Sequence, residues 1–92
     1  MLNKQEMKKI ALAECIKMVG KDFFELYKEN CCAGYGMTDS NLFRYSLCVE
    51  LEESEEWTIG DNTPFDYYVF VLVNPETGEV TRDYKNSILP NQ

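Results

Sequence analysis

Residues 65–80 read FDYYVFVLVNPETGEV. Both faces of the first nine are apolar: Phe65, Tyr67, Val69, Val71 and Val73 on one, Tyr68, Phe70 and Leu72 on the other. A run of this length, rich in β-branched and aromatic side chains and closed by turn residues, predicts the central strand. Its outer face is either partly exposed, at Tyr67 or at Tyr68 and Phe70, or covered by the Phe23 to Tyr27 segment or a dimer partner. Asn74-Pro75-Glu76-Thr77-Gly78 follows, with Pro to set φ for a turn and Gly free to take positive φ. Val80 to Tyr84 then returns as a second strand. A hairpin of this kind sets the middle of an antiparallel sheet, and the rest of the chain must supply its neighbours and its cover.

One neighbour lies upstream. From Phe43 to Leu51 the alternation is regular: Phe43, Tyr45, Leu47, Val49 and Leu51 point one way, while Arg44, Ser46, Cys48 and Glu50 point the other, with Glu52 continuing that side. This is a strand with one buried and one wet face. Glu53 to Glu56 read as a turn, Trp57 to Ile59 as a short strand, and Gly60 to Pro64 as a break. Cys31 to Asn41, with two glycines and a Thr-Asp-Ser-Asn run, is expected to be a loop.

Cover comes from the N-terminus. Asn3 and Glu6 have capping-box spacing. Met7, Ala11, Leu12, Cys15, Ile16, Met18 and Val19 fall on one side of a helix, and Gly20 is a natural stop. Asp22 and Glu25 repeat the capping spacing ahead of Phe23, Phe24, Leu26 and Tyr27, which predicts a short second helix to about Asn30. The expected fold class is α+β: an N-terminal helix and a short second helix packed on a three- to four-stranded antiparallel sheet. Ninety-two residues suit a single domain. The tail, residues 86–92, is expected to fray.

The hairpin invites a comparison. A helix containing Ile10-Ala11-Leu12 and an Asn-Pro-Glu-Thr-Gly-Glu-Val turn at residues 74–80 resembles small PepSY-like domains, whose helix and antiparallel sheet are arranged as in cystatins. The resemblance centres on residues 65–84 and implies inhibitory or regulatory binding. It transfers no functional residue. Phe23 to Tyr27 and Cys31-Cys32 have no counterpart in that pattern.

Charge narrows the function. The net charge is −7, with +1 in residues 1–30 and −8 in residues 31–92. Such a balance repels nucleic acid and anionic membranes and attracts basic surfaces. The N-terminus lacks the apolar run of a secretion signal, so a cytoplasmic location with reduced cysteines is expected.

Catalytic signals are sparse. The chain contains no histidine, which removes Ser-His-Asp, Cys-His and His-metal chemistry. Gly34-Tyr35-Gly36 lacks the third glycine of a nucleotide loop. Cys31-Cys32 lacks zinc-ligand spacing and reads as small residues closing a helix end. Cys15 reads as core. Glu50 and Glu52, about 7 Å apart on a wet face, repel too weakly in water to shift their titration far. No enzyme, cofactor or metal is expected.

What remains is VELEESEEW, residues 49–57, with five glutamates in nine positions. It is either a solvated strand face and turn, or a surface for a basic partner. Nine acids from Glu50 to Glu79 face no intervening Lys or Arg, and Trp57 is a favoured interface anchor. The expectation is therefore a protein-binding module, a small acidic inhibitor or regulator that engages a basic, nucleic-acid-binding surface of another protein. Phage-encoded anti-CRISPR proteins offer an analogy of charge and size. Glu50, Glu52, Glu53, Glu55, Glu56 and Trp57 would make the contact, beside Tyr68 and Phe70. The alternative is a dimeric domain that binds a small molecule or peptide on the outer sheet face around Tyr68 and Phe70.

Overall fold

The computed structural model describes residues 1–50 and 66–90. Glu52, Glu53, Glu55, Glu56, Trp57, the expected short strand at 57–59 and Phe65 lie outside the described residues. Helix α1 spans Lys4–Val19 and α2 spans Lys21–Tyr27. Strands β1 (Cys31–Met37), β2 (Phe43–Val49), β3 (Tyr67–Val73) and β4 (Val80–Arg82) form a sheet of order β1-β2-β3-β4. Every pairing is antiparallel. The fold is α+β.

The capping box at the start of α1 is present. The Asn3 side chain accepts from the Glu6 amide at 2.8 Å, and the Glu6 carboxylate accepts from the Asn3 amide at 3.4 Å. Gly20 ends α1 at φ 98°, a conformation that side-chain-bearing residues avoid. The start of α2 differs from expectation. Gly20, not Asp22, flanks it, and no side chain caps it. The Gly20 carbonyl already accepts from the Phe24 amide at 3.0 Å, so the first helical bond forms before Asp22 could act as a cap.

The side of α1 that carries Met7, Ala11, Cys15, Met18 and Val19 is buried. It packs on Phe43, Tyr45 and Leu47 of β2 and Val69, Val71 and Val73 of β3. These are the odd-numbered residues of each strand, as the alternation requires. A helix-to-sheet ion pair closes the flank over β4: the Arg82 Nε lies 2.6 Å from Glu14 Oε1. Arg82 also donates to the Tyr84 hydroxyl at 2.8 Å.

Two stretches correct the sequence reading. The expected loop at Cys31–Asn41 contains β1, a full seven-residue strand, and only its last part is a turn. That turn is held by the Thr38 amide on the Leu42 carbonyl at 2.8 Å and by Asn41 at φ 61°. Its glycines and polar residues hid a strand that forms because β2 presents a full row of backbone partners. Cys31-Cys32 accordingly opens β1 and does not close a helix.

The tail is the second case. Residues 84–86 make a 3-10 turn, after which Ser87 and Leu89 are buried. The reason lies in backbone accounting. Strand β4 is only three residues long, so it leaves Tyr68 and Phe70 of β3 without strand partners. The tail supplies them. Tyr68 and Ile88 exchange both backbone bonds, at 3.2 and 2.8 Å. The Phe70 amide donates to Ser87 Oγ at 3.0 Å, and the Phe70 carbonyl accepts from the Asp83 amide at 2.9 Å. Buried backbone groups seek partners at a cost of about 1–3 kcal/mol if left unpaired, which favours an ordered tail here.

Candidate functional site

The two ends of the sheet are finished differently. At one end β4 is short and the tail closes the gap beside β3. At the other, β1 is seven residues long, and its side chains from Cys32 to Met37 are exposed. Helix α1 packs on β2, β3 and β4 and reaches β1 through Lys4 and Lys8 over the Tyr35 ring.

Which backbone groups of β1 are free follows from the phase of its pairing. The Glu50 amide donates to the Asn30 carbonyl, and the Thr38 amide to the Leu42 carbonyl. In an antiparallel pair, residues alternate between bonding the neighbour and pointing away from it. Residues 30 and 38 bond β2, so Cys32, Gly34 and Gly36 do too. Ala33, Tyr35 and Met37 therefore turn their amides and carbonyls outward, while the Cys31 amide, in the same phase, donates to the Lys28 carbonyl. Three amides without a partner among the described residues, those of Ala33, Tyr35 and Met37, and the outward carbonyls of the same strand line this edge.

Natural edges are usually protected by charge, proline, a bulge or shortness. Strand β1, CCAGYGM, has no charged residue and no proline, and its register with β2 runs unbroken from Cys31 to Met37. Such an edge accepts a further strand.

Each side of β1 has its own character. On the helix side, Tyr35 is 48% exposed and Met37 57%. The Lys8 ammonium sits 3.9 Å from the centre of the Tyr35 ring, and that of Lys4 lies 5.0 Å away. Bonding to Lys8, and then the charges of Lys4 and Lys8, hold the Tyr35 phenol below its usual range. On the outer side, a shallow depression of about 500 Å³ is lined by Gly34, Gly36, Asp39, Arg44, Ser46 and Phe70, among others. It exists because the two glycines put no side chain on that face.

The predicted contact residues divide. Tyr68 and Phe70 share the outer face, half-buried, with rings 5.8 Å apart. Phe70 is roofed by the Arg44 guanidinium at 4.3 Å, which shields part of the expected apolar patch. Glu50 follows β2 directly and stands at the Cys31 end of β1, where its amide bonds Asn30. Glu52, Glu53, Glu55, Glu56 and Trp57 lie outside the described residues. The open edge itself was missed by sequence reasoning. Its only signal was a stretch without charge or proline between Asn30 and Asp39.

The remaining chemistry is modest. Burial, and then the neighbouring Glu14 charge, push the Cys15 thiol up to about 12. No three Cys, Asp or Glu side chains among the described residues gather as metal ligands. No helix among them is long and apolar enough to cross a membrane. Compared with known proteins, the chain matches no protein family, no curated protein and no solved structure.

Proposed function

We propose that this protein works by binding another protein, with the open edge of β1 as the docking element. The observation that carries the reading is the row of outward amides and carbonyls at Ala33, Tyr35 and Met37. An extended segment of the partner adds to this edge through main-chain bonds. Side-chain selectivity comes from the glycine-floored depression on one side and Tyr35 on the other. The −8 charge of residues 31–92 steers the module toward a basic partner. The role is inhibitory or regulatory and not catalytic, in keeping with the PepSY-like turn at 74–80 and the absence of histidine.

The test is affinity capture from the cell of origin with wild type and Ala33→Pro in parallel, followed by titration of the purified partner at low and high salt. The expected result is a partner lost with Ala33→Pro whose association slows as salt rises. Charge reversal at Glu52, Glu53 and Glu55 together should slow association further. A partner that binds Ala33→Pro as well as wild type would remove the edge from the interface. A salt-independent association rate would remove the charge steering.

A further inference from the structure

All four cysteines are free thiols, at four different places. Cys15 is buried between α1 and the sheet. Cys31 faces the helix side of β1, where its thiol donates to the Tyr27 carbonyl at 3.3 Å. Cys32 and Cys48 both face the outer side, and they are directly opposite each other in the β1–β2 register. Adjacent strand residues point to opposite faces, so Cys31 and Cys32 cannot bridge while β1 is intact. The sheet itself separates Cys15 from Cys48.

Cys32 and Cys48 form one of the hydrogen-bonded pairs deduced above. Such a pair sets its Cα atoms about 5.5 Å apart, within the ~4.4–6.8 Å range of a disulfide. The Cβ atoms start roughly 1–1.5 Å wider than a relaxed bridge prefers. Strand β1 can supply that shift: it is an end strand, its side chains from Cys32 to Met37 are exposed, and it has glycines at 34 and 36. Cys32 is exposed and Cys48 half-buried, so reagent reaches the first before the second.

We propose that Cys32 and Cys48 are a redox-responsive thiol pair, closing to a cross-strand disulfide by exchange with a low-molecular-weight disulfide such as oxidised glutathione. The Cys32 thiolate attacks one glutathione sulfur, forming a mixed disulfide and expelling one glutathione thiolate. Cys48 then loses its proton and attacks the Cys32 sulfur, expelling the second. The protein gives up two thiol protons and two electrons, and one glutathione disulfide becomes two glutathione thiols. Burial, and then the Cys32 charge, hold the Cys48 thiol above its ordinary range. Capping Cys32 removes the second of these, so the first step prepares the other. The bridge is wider than relaxed geometry prefers, and thiols reduce it readily. It ties the Cys31 end of β1 to β2 beside Tyr68, the cross-strand partner of Cys48.

The experiment treats folded protein with oxidised glutathione, blocks remaining thiols, and reads intact mass and linked peptides. Wild type and Cys31→Ser should each lose two hydrogens and yield a Cys32–Cys48 linkage that dithiothreitol reverses. Cys48→Ser should instead accumulate a glutathione adduct on Cys32. Four free thiols after treatment, a linkage through Cys31 or Cys15, or a Cys48→Ser protein without the adduct would each overturn the proposal.

Discussion

Ala33→Pro and Gly34→Pro lie one residue apart in β1, yet the pairing phase gives them very different costs. The Ala33 amide points outward and bonds nothing in the chain. Proline there removes no ladder bond, and Cys32 before it is already extended, the conformation that a residue preceding proline favours. Its restriction of the unfolded chain offsets part of the φ mismatch, so the net change should stay within about 1 kcal/mol. The Gly34 amide points at the Ser46 carbonyl. Proline there deletes that bond, worth about 1 kcal/mol net, and drives a ring into β2, for a total of roughly 3 kcal/mol or more. At about 4–8 °C per kcal/mol for a domain of this size, Ala33→Pro should move the midpoint by less than about 8 °C. Gly34→Pro should lower it by about 12 °C or more. Thermal melts followed by circular dichroism measure both. Amide exchange gives an independent reading: Ala33, Tyr35 and Met37 should exchange fast, and Cys32, Gly34 and Gly36 slowly. Equal costs for the two prolines, or protection in the opposite phase, would refute the free-edge argument and the docking proposal with it.

Cys15 should weaken the fold at alkaline pH. Its folded-state value is raised, so the native state keeps a proton that the unfolded state loses; stability is intact below about 9 and falls as pH rises toward about 12. The slope from this group is about 1.4 kcal/mol per pH unit, and denaturant titrations of Cys15→Ala should lack it. Arg82→Ala should cost about 1–2 kcal/mol, because it leaves the Glu14 carboxylate, whose side chain is 17% exposed, with only the longer contact to Lys17 at 4.0 Å; urea unfolding reads the change. Gly20→Ala should cost roughly 1 kcal/mol at φ 98°, although no atom lies within 4 Å of the added methyl; loss measured against a Gly36→Ala control, whose added methyl likewise meets nothing within 4 Å, isolates the backbone effect.

The parts of the fold legible in the sequence are those where one local pattern and one burial demand agree. The period-2 run at Phe43–Val49 and the doubly apolar run at Tyr67–Val73 became β2 and β3 because each also lies in the core. The Asn3–Glu6 box and the Gly20 stop act within a single turn, so neighbours do not alter them. The tail was misread for the complementary reason. Nothing in Ser87-Ile88-Leu89 advertises order; the demand comes from the amides of Tyr68 and Phe70, left over by a β4 that stops at Arg82.

The open edge was illegible for a deeper reason. A strand's buried face leaves a trace in side-chain alternation, but its hydrogen-bonding phase leaves none, since every residue carries the same amide and carbonyl. Which groups of β1 face outward is decided only by the register with β2, through the Glu50–Asn30 and Thr38–Leu42 bonds at its ends. The same register carries the thiol pair. It sets Cys32 opposite Cys48 and sends Cys31 to the other face, whereas adjacency in sequence draws attention to Cys31-Cys32. The proposed docking and the proposed redox response thus rest on one alignment. A one-residue slip of β1 would turn Cys32 toward the helix side and interchange the free and bonded amides together. Mapping the disulfide and mapping amide protection therefore test one register by independent chemistry, and the two must agree.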